Sequence, residues 1–271
     1  MLSKVPSFSI ITINYNNSIG LDKTLFSISS QIYSYELIVI DGGSTDNSIN
    51  VANFYNKHIK TFISEKDNGI YDAMNKGLNY CNNDFLIFLN SGDTFINSES
   101  LLSASFYIDK WDTGYFFNAI IEGYNIIPFK SPHNYSYNNY KNSLFFIPNH
   151  QAIFFPKVYY KSNLYLTNLK ICSDVEYIYR LSNNYGIFYV NFDFVKFEIG
   201  GISSNFKSLN KTLLQIKESI FINRTYFKNS FFISFYIFSK FITKYILHSI
   251  LRNFYFTLIK KLNVSKQRLF N

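Results

Sequence analysis

Residues Phe85 to Leu89 form a run of five apolar side chains that stops at Asn90-Ser91-Gly92-Asp93. Such a run, bounded by a glycine turn, reads as a buried strand opening at its C-terminal end into a tight polar loop. Ligands of open α/β sheets collect at the C-terminal ends of strands. A carboxylate held there suits a hard divalent cation that bridges phosphate oxygens. The plainer reading is a strand-to-helix turn in which Ser or Asp caps the next helix, and the tetrapeptide alone does not separate the two.

The upstream sequence repeats the pattern. Phe8–Asn14 reads as a first strand, followed by Asn14-Tyr15-Asn16-Asn17 and a helical pattern through Leu21, Leu25, Ile28 and Ile32. Glu36–Asp41 is a second strand, and Gly42-Gly43-Ser44-Thr45-Asp46 turns into a helix expected to start near Ser44 and Thr45. Thr61–Ser64 is a short third strand. Asp67-Asn68-Gly69 then leads into a helix carrying Ile70, Ala73, Met74, Gly77 and Leu78. Strands alternating with helices at this spacing indicate a mostly parallel sheet. Tyr15, Asp41, Asp67 and Asp93 are then expected along one edge of it.

Phe8 to Asp93 resembles the nucleotide-sugar-binding half of a family 2 glycosyltransferase with the GT-A fold. The residues that carry the resemblance are Thr12-Ile13-Asn14-Tyr15-Asn16, the stretch Glu36 to Asp46, the stretch Asp67 to Gly77, and Asn90-Ser91-Gly92-Asp93. It continues in Asn149-His150-Gln151, in Ser173-Asp174-Val175-Glu176-Tyr177 with Arg180, and in Gly200-Gly201-Ile202-Ser203. Several spaced motifs in one order weigh far more than any single motif. Within the family, the sequence is most similar to the bacterial polysaccharide-assembly branch and resembles colanic-acid-type transferases. One departure stands out. The common metal loop carries two or three aspartates, whereas Asn90 and Gly92 here leave Asp93 alone, so a manganese or magnesium ion would lean on the diphosphate and water.

The resemblance implies an α/β chain: a GT-A (nucleotide-diphospho-sugar transferase-like) mostly parallel sheet flanked by helices, with a C-terminal helical appendage. It implies an inverting transfer of a sugar from a nucleotide-diphosphate donor to a hydroxyl of a surface-polysaccharide acceptor, glycan or polyprenyl-linked. Donor binding falls to Tyr15, Asp41, Asp67 and Asp72, the acceptor side to His150 and Gln151, the metal to Asp93 and Asn90, and the catalytic base to Asp174. Each has a plainer structural reading. Asp41 could cap a helix, and Asp67 and Asp72 could favour the N-terminus of the helix at Ile70 through its dipole. Tyr15 is one of 23 tyrosines. His150 could be a structural histidine at the start of a strand through Ala152 to Phe155, and Asp174 could cap a helix from Val175 to Leu181. Glu176 and Arg180, spaced i, i+4, favour an ion pair.

Charge divides the chain. Residues 206–271 hold 12 Lys and Arg and one acid, Glu218, a balance of +11 against +8 for the whole chain, which leaves −3 on residues 1–205. Residues 1–205 are expected to form the catalytic domain and 206–271 a helical tail. Its lysines interleave with Phe231, Phe232, Phe235, Tyr236, Phe238, Phe241, Tyr245, Phe254, Tyr255 and Phe256. No nucleic-acid-binding module accompanies them, so nucleic acid is not expected as a partner. A membrane surface with anionic lipid accounts for both features, and packing onto the catalytic domain or in a homodimer is the alternative. The longest uncharged run, Asn229 to Ser239, is short of the roughly 20 residues a spanning helix needs. The N-terminus lacks the apolar stretch of a signal peptide, so the expected place is the cytoplasm, peripheral on the inner face of the membrane. Cys81 and Cys172 lack metal-ligand spacing and read as buried thiols. Two other classes compete: a sugar-nucleotide nucleotidyltransferase, for which Asn14-Tyr15-Asn16-Asn17-Ser18 lacks the glycine- and basic-rich loop, and a non-catalytic scaffold, supported by the thin metal loop.

Overall fold

The computed structural model describes residues 5–123, 126–132, 148–198, 208–226 and 231–250. The segment Gly200 to Ser203 and the aromatic residues Phe254 to Phe256 lie outside them. The chain falls into two compact units, Met1–Ile121 with Phe129–Glu198, and Glu122–Pro128 with Ile199–Asn271.

The first unit is built on a mixed sheet. Strands β1 (Phe8–Asn14), β2 (Tyr35–Asp41), β3 (Thr61–Ser64) and β4 (Phe85–Phe88) run parallel in the order β3-β2-β1-β4. Helices α1 (Ser18–Ser29), α2 (Ser48–Phe54) and α3 (Ile70–Leu78) make the crossovers. The apolar runs are continuous because the strands are covered on both faces. Every residue of Phe85 to Leu89 is buried, each side chain contributing about 1.5–3 kcal/mol of transfer free energy. The chain steps outward from β1 to β3 and returns to β4 on the other side of β1. The reversal leaves a crevice at the C-terminal ends of β1 and β4, the place where open α/β sheets bind ligands.

Beyond β4 the expectation of a mostly parallel sheet fails. The next strands are β5 (Thr94–Phe95), β6 (Gly114–Gly123), β7 (Ile126–Ser131), β8 (Ile153–Pro156) and β9 (Ile187–Glu198). The sheet order continues β4-β8-β6-β9-β5, with β7 on β6, and β8 is antiparallel to both β4 and β6, as β5 is to β9. Helices α4 (Ser100–Ser105), α5 (Lys157–Tyr160) and α6 (Ser173–Tyr185) belong to this half.

Three local expectations need correction. Helix α1 stops at Ser29, and Ile32 is exposed beyond it. Helix α2 starts at Ser48, where Asp46 accepts from the Ser48 N–H at 3.0 Å, so Asp41 caps nothing there. Helix α6 starts at Ser173, which puts Asp174 inside the first turn and not at the cap. Both cysteines are buried and reduced, and burial pushes the Cys81 thiol up to about 12.

The second unit contains helices α7 (Leu209–Tyr226) and α8 (Phe231–Ile250), which pack on each other. On α8, Phe235, Tyr236, Phe238 and Ile246 are exposed. No described helix is long and apolar enough to cross a membrane.

Candidate active site

Three strand ends meet at one side chain. Asn14 closes β1; its Nδ2 donates to Asp41 Oδ1 at 2.7 Å and its Oδ1 accepts from the Ser91 hydroxyl at 2.7 Å. The ends of β2, β1 and the turn after β4 are thus joined through one buried amide. Asp41 is 0% exposed. It accepts from the Ser44 N–H at 2.8 Å, the Ser44 hydroxyl at 2.5 Å and the Ser64 hydroxyl at 2.7 Å, besides Asn14. Burial pushes its carboxyl up, but the bonds from Ser44, Asn14 and Ser64 outweigh burial and hold it below its ordinary value. Ser44 Oγ also receives the Asn16 N–H at 2.7 Å, and Asn16 Oδ1 receives the Thr45 N–H at 2.8 Å. The loop after β1 and the loop after β2 therefore hold each other in place.

Tyr15 stands on that frame with 65% of its surface exposed. Gly42 lies against both Tyr15 and Asp67. A Cβ there would come 2.5 Å from Asp67 Oδ2 and 3.3 Å from the Tyr15 ring, so only a bare backbone fits beside them. An exposed aromatic ring with a carboxylate beside it can offer a flat, hydrogen-bonding ring a stacking surface and an acceptor at its edge. Asp67 accepts the Gly69 N–H at 2.9 Å through its other oxygen. Asp72 accepts the Asn68 N–H at 2.9 Å and lies 3.8 Å from Lys76, the reach-back of a capping residue in the first turn of α3.

The turn after β4 is fixed by α1. Gly92, at φ +108°, adopts a conformation costly to other residues, and its N–H donates to Gly20 O at 3.1 Å and to Thr24 Oγ1 at 3.0 Å. Asp93 is 4% exposed. Burial pushes its carboxyl up to about 8; the Glu198 N–H, donating at 3.3 Å, pulls it back, and the Glu198 charge adds to the rise. Asn90 Oδ1 is buried with no hydrogen-bond partner among the described residues. An orphaned amide oxygen in the same turn as a buried carboxylate is a donor set of the hard kind that Mg²⁺ or Mn²⁺ takes. No group of three or more His, Cys, Asp or Glu able to hold a metal occurs among the described residues. Such a site fits a cation only when substrate phosphates and water complete its coordination.

The residues expected on the acceptor side, His150 and Gln151, lie deeper than the sequence suggests. His150 begins a 3₁₀ turn, His150–Ala152, and not a strand; it is 6% exposed, and Gln151 is buried beside it. His150 Nε2 bonds the Tyr165 hydroxyl at 2.8 Å, and burial pushes its pKa down to about 3, so the ring is neutral. Asp174 is half-buried, and the Tyr71 hydroxyl lies 3.0 Å from its Oδ1. The i, i+4 pair expected on the same helix is present, with Arg180 Nη2 2.9 Å from Glu176. Asn14, Ser44, Ser64 and Tyr71 were not singled out by sequence reasoning; Asn14 and Ser64 carried a signal as polar residues ending strands, and Ser44 and Tyr71 stand inside stretches that carry the family resemblance.

The sequence model of glycosyl transferase family 2 matches residues 9–175, from β1 to the Ser173-Asp174-Val175 turn. The chain belongs to glycosyl transferase family 2. An uncharacterized glycosyltransferase of Mycobacterium tuberculosis is 37% identical over 105 residues, 38% of this chain and 40% of that protein. A PGL/p-HBAD biosynthesis glycosyltransferase of Mycobacterium bovis is 32% identical over 109 residues, 39% of this chain and 43% of that protein. The match thus spans about two fifths of the length of these relatives. Among solved structures, Staphylococcus aureus TarS in complex with UDP-GlcNAc is similar with a TM-score of 0.60 at 16% identity, covering 91% of this chain and 74% of that one. The mannosyltransferase PcManGT of Pyrobaculum calidifontis, in complex with GDP-Man and Mn²⁺, is similar with a TM-score of 0.58 at 13% identity, covering 80% and 61%. At these identities the likeness shows a shared GT-A-like fold.

Proposed function

We propose that this family 2 chain transfers a sugar from a nucleotide-diphosphate donor to a hydroxyl of a surface glycan, with inversion. The observation that carries the reading is the platform at the strand ends, the exposed Tyr15 ring with the Asp67 carboxylate beside it over the bare backbone of Gly42. It suits a nucleobase, and the turn with Asn90 and Asp93, bonded through Ser91 to the same Asn14, suits the diphosphate end of the donor. Neighbours with this fold are described with UDP-GlcNAc and with GDP-Man and Mn²⁺, which supports a donor of this class.

In this reading Asp41 keeps the base-binding loops in register, and Asp67 is the carboxylate within reach of the base. A base could reach Asp41 only by displacing Asn14, Ser44 or Ser64. Asp72 holds the Asn68-Gly69 turn that carries Asp67. Asp174 takes the acceptor proton as the acceptor oxygen bonds the anomeric carbon. The bond to the diphosphate breaks in the same in-line displacement, and its electron pair leaves with the phosphate oxygen. Asp93 and Asn90 would hold a divalent cation, which when bound offsets charge on the departing diphosphate. His150 and Gln151 form the floor beneath the acceptor and do not exchange protons with it.

Residues 206–271 dock the protein on an anionic membrane face, where a polyprenyl-linked glycan is available. Their +11 charge and the exposed Phe235, Tyr236 and Phe238 of α8 support this. The test is release of nucleoside diphosphate from a panel of UDP-, GDP- and dTDP-sugars, with and without Mn²⁺. Turnover with one donor, abolished in Asp174→Asn with donor affinity intact, is expected. Tight binding without turnover under any condition would instead favour a scaffold.

A further inference from the structure

The turn that ends in Asp93 is met by the last residue of β9. Strand β5 pairs antiparallel with β9, Thr94 against Lys196 and Phe95 against Val195. Carried back past Thr94, that register sets Gly92 opposite Glu198. Side chains directly opposed across an antiparallel pair stand on one face, with Cβ atoms about 4.5–5.5 Å apart. Gly92 has no side chain, and the Glu198 carboxylate stands there instead. Its Oε2 lies 3.8 Å from the point a Cβ on Gly92 would occupy, and the Glu198 N–H donates to Asp93 Oδ1 at 3.3 Å. Strand β9 therefore brings to the turn a carboxylate that position 92 does not supply.

Helix α1 holds the turn and supplies the group that faces Glu198. Thr24 Oγ1 accepts the Gly92 N–H at 3.0 Å and lies 2.7 Å from the Asp93 carbonyl oxygen. From the adjoining position on α1, Lys23 reaches Glu198 Oε2 with its Nζ at 3.4 Å. The two side chains are 54% and 49% exposed, so water screens the pair and it contributes little. The Glu198 main chain is tied to Asp93, and its carboxylate can leave Lys23 by side-chain rotation alone. Three oxygen donors of the hard kind then border one turn. They are Asn90 Oδ1, buried with no hydrogen-bond partner among the described residues, the Asp93 carboxylate and the Glu198 carboxylate. The turn itself contains one carboxylate, and the charge of its ligands sets how tightly a hard cation is held.

We infer that Glu198 is a further residue of the cation site, a second carboxylate that turns from Lys23 toward a divalent cation held by Asp93 and Asn90. The inference rests on the reading of that turn as the place of a divalent cation. Its consequence is that the charge missing from positions 90 and 92 is supplied from a strand more than a hundred residues away in sequence.

The test is calorimetric titration of the full chain with UDP and with GDP, in Mn²⁺ and in EDTA, for the natural protein, Glu198→Gln and Asp93→Asn. Glu198→Gln keeps the length of the side chain and the backbone N–H that Asp93 accepts, and thermal unfolding is measured alongside. Partners outside a metal's ligand shell are already worth about 10–100-fold in metal affinity, so the gain in nucleotide affinity from Mn²⁺ is expected to fall about tenfold or more in Glu198→Gln. In EDTA the same variant is expected to bind the nucleotide as well as the natural protein or better, because a negative charge beside the diphosphate is gone. Equal weakening with and without Mn²⁺ would make Glu198 a support of the turn and overturn the inference. An unchanged Mn²⁺ gain in Glu198→Gln, with that gain lost in Asp93→Asn, overturns the Glu198 inference and leaves the cation with Asp93. A natural protein indifferent to Mn²⁺, or a full gain in Asp93→Asn, overturns both. Should Glu198→Gln be too unstable to titrate, Lys23→Gln, which releases the carboxylate, is expected to enlarge the Mn²⁺ gain, and a gain that stays the same or shrinks there overturns the inference equally.

Discussion

Removing the Asp41 carboxylate separates a residue that touches the nucleotide from one that shapes its site. In Asp41→Ala, four donors lose their common acceptor: Asn14 Nδ2, the Ser44 N–H, and the Ser44 and Ser64 hydroxyls. The two hydroxyls can rotate to other partners, and Asn14 Nδ2 retains Ser44 Oγ at 3.2 Å. The Ser44 N–H cannot move without its loop. A buried donor left unpaired costs about 1–3 kcal/mol, so one fully stranded donor and one weakened donor put the loss near 3 kcal/mol. For a unit of this size that lowers Tm by about 6–12 °C. Ser64→Ala removes one donor and leaves the carboxylate its other three, with an expected loss of about 1 kcal/mol. Thermal unfolding and calorimetric titration with UDP and GDP, on both variants, are the assays. Stability and nucleotide affinity are expected to fall together in Asp41→Ala and both to change little in Ser64→Ala. Full stability with lost nucleotide affinity in Asp41→Ala would refute the reasoning and return Asp41 to direct contact with the base.

If Asp93 holds a cation, Mn²⁺ is expected to support turnover and raise the Tm of the natural protein, and Asp93→Asn is expected to abolish both effects. Because the folded carboxyl is raised from 3.8 to about 8, the fold keeps a proton the unfolded chain has lost, and metal-free stability declines as pH climbs through that window; the asparagine variant should gain on the natural protein there, and parallel pH profiles would sink the assignment. For the tail, Lys240→Glu with Lys244→Glu is expected to weaken sedimentation with phosphatidylglycerol vesicles at low salt and to leave binding to neutral vesicles unchanged; equal sedimentation of variant and natural protein would refute membrane docking.

The parallel half of the fold was legible because its strands are continuous apolar runs and each is closed by a polar turn. Phe8–Asn14, Thr61–Ser64 and the helix at Ile70 stand where the pattern places them. The antiparallel half was not legible, because strands such as Gly114–Gly123 and Ile187–Glu198 have mixed aromatic and polar sequences whose pairing comes from distant segments. The site shows the same division. That Asp67 and Tyr15 come together at the strand ends could be read from their position after strands, and the Glu176–Arg180 pair from helical spacing. That Ser64 closes over Asp41, or that Tyr71 among 23 tyrosines meets Asp174, depends on contacts between residues 23 and 103 positions apart. No local pattern records such contacts.

The central claim is that the Tyr15–Asp67 platform beside Gly42 receives the base of a nucleotide-sugar donor. Its most direct test is calorimetric titration of the full chain, and of Asp67→Ala, with UDP-, GDP-, dTDP- and CDP-sugars in the presence of Mn²⁺. Saturable binding of one donor class, lost or weakened at least tenfold in Asp67→Ala, with unfolding temperature unchanged, is the predicted result; tenfold is about 1.4 kcal/mol, the scale of one hydrogen bond to a charged group. Failure to bind any donor, or binding that is indifferent to Asp67, would contradict it.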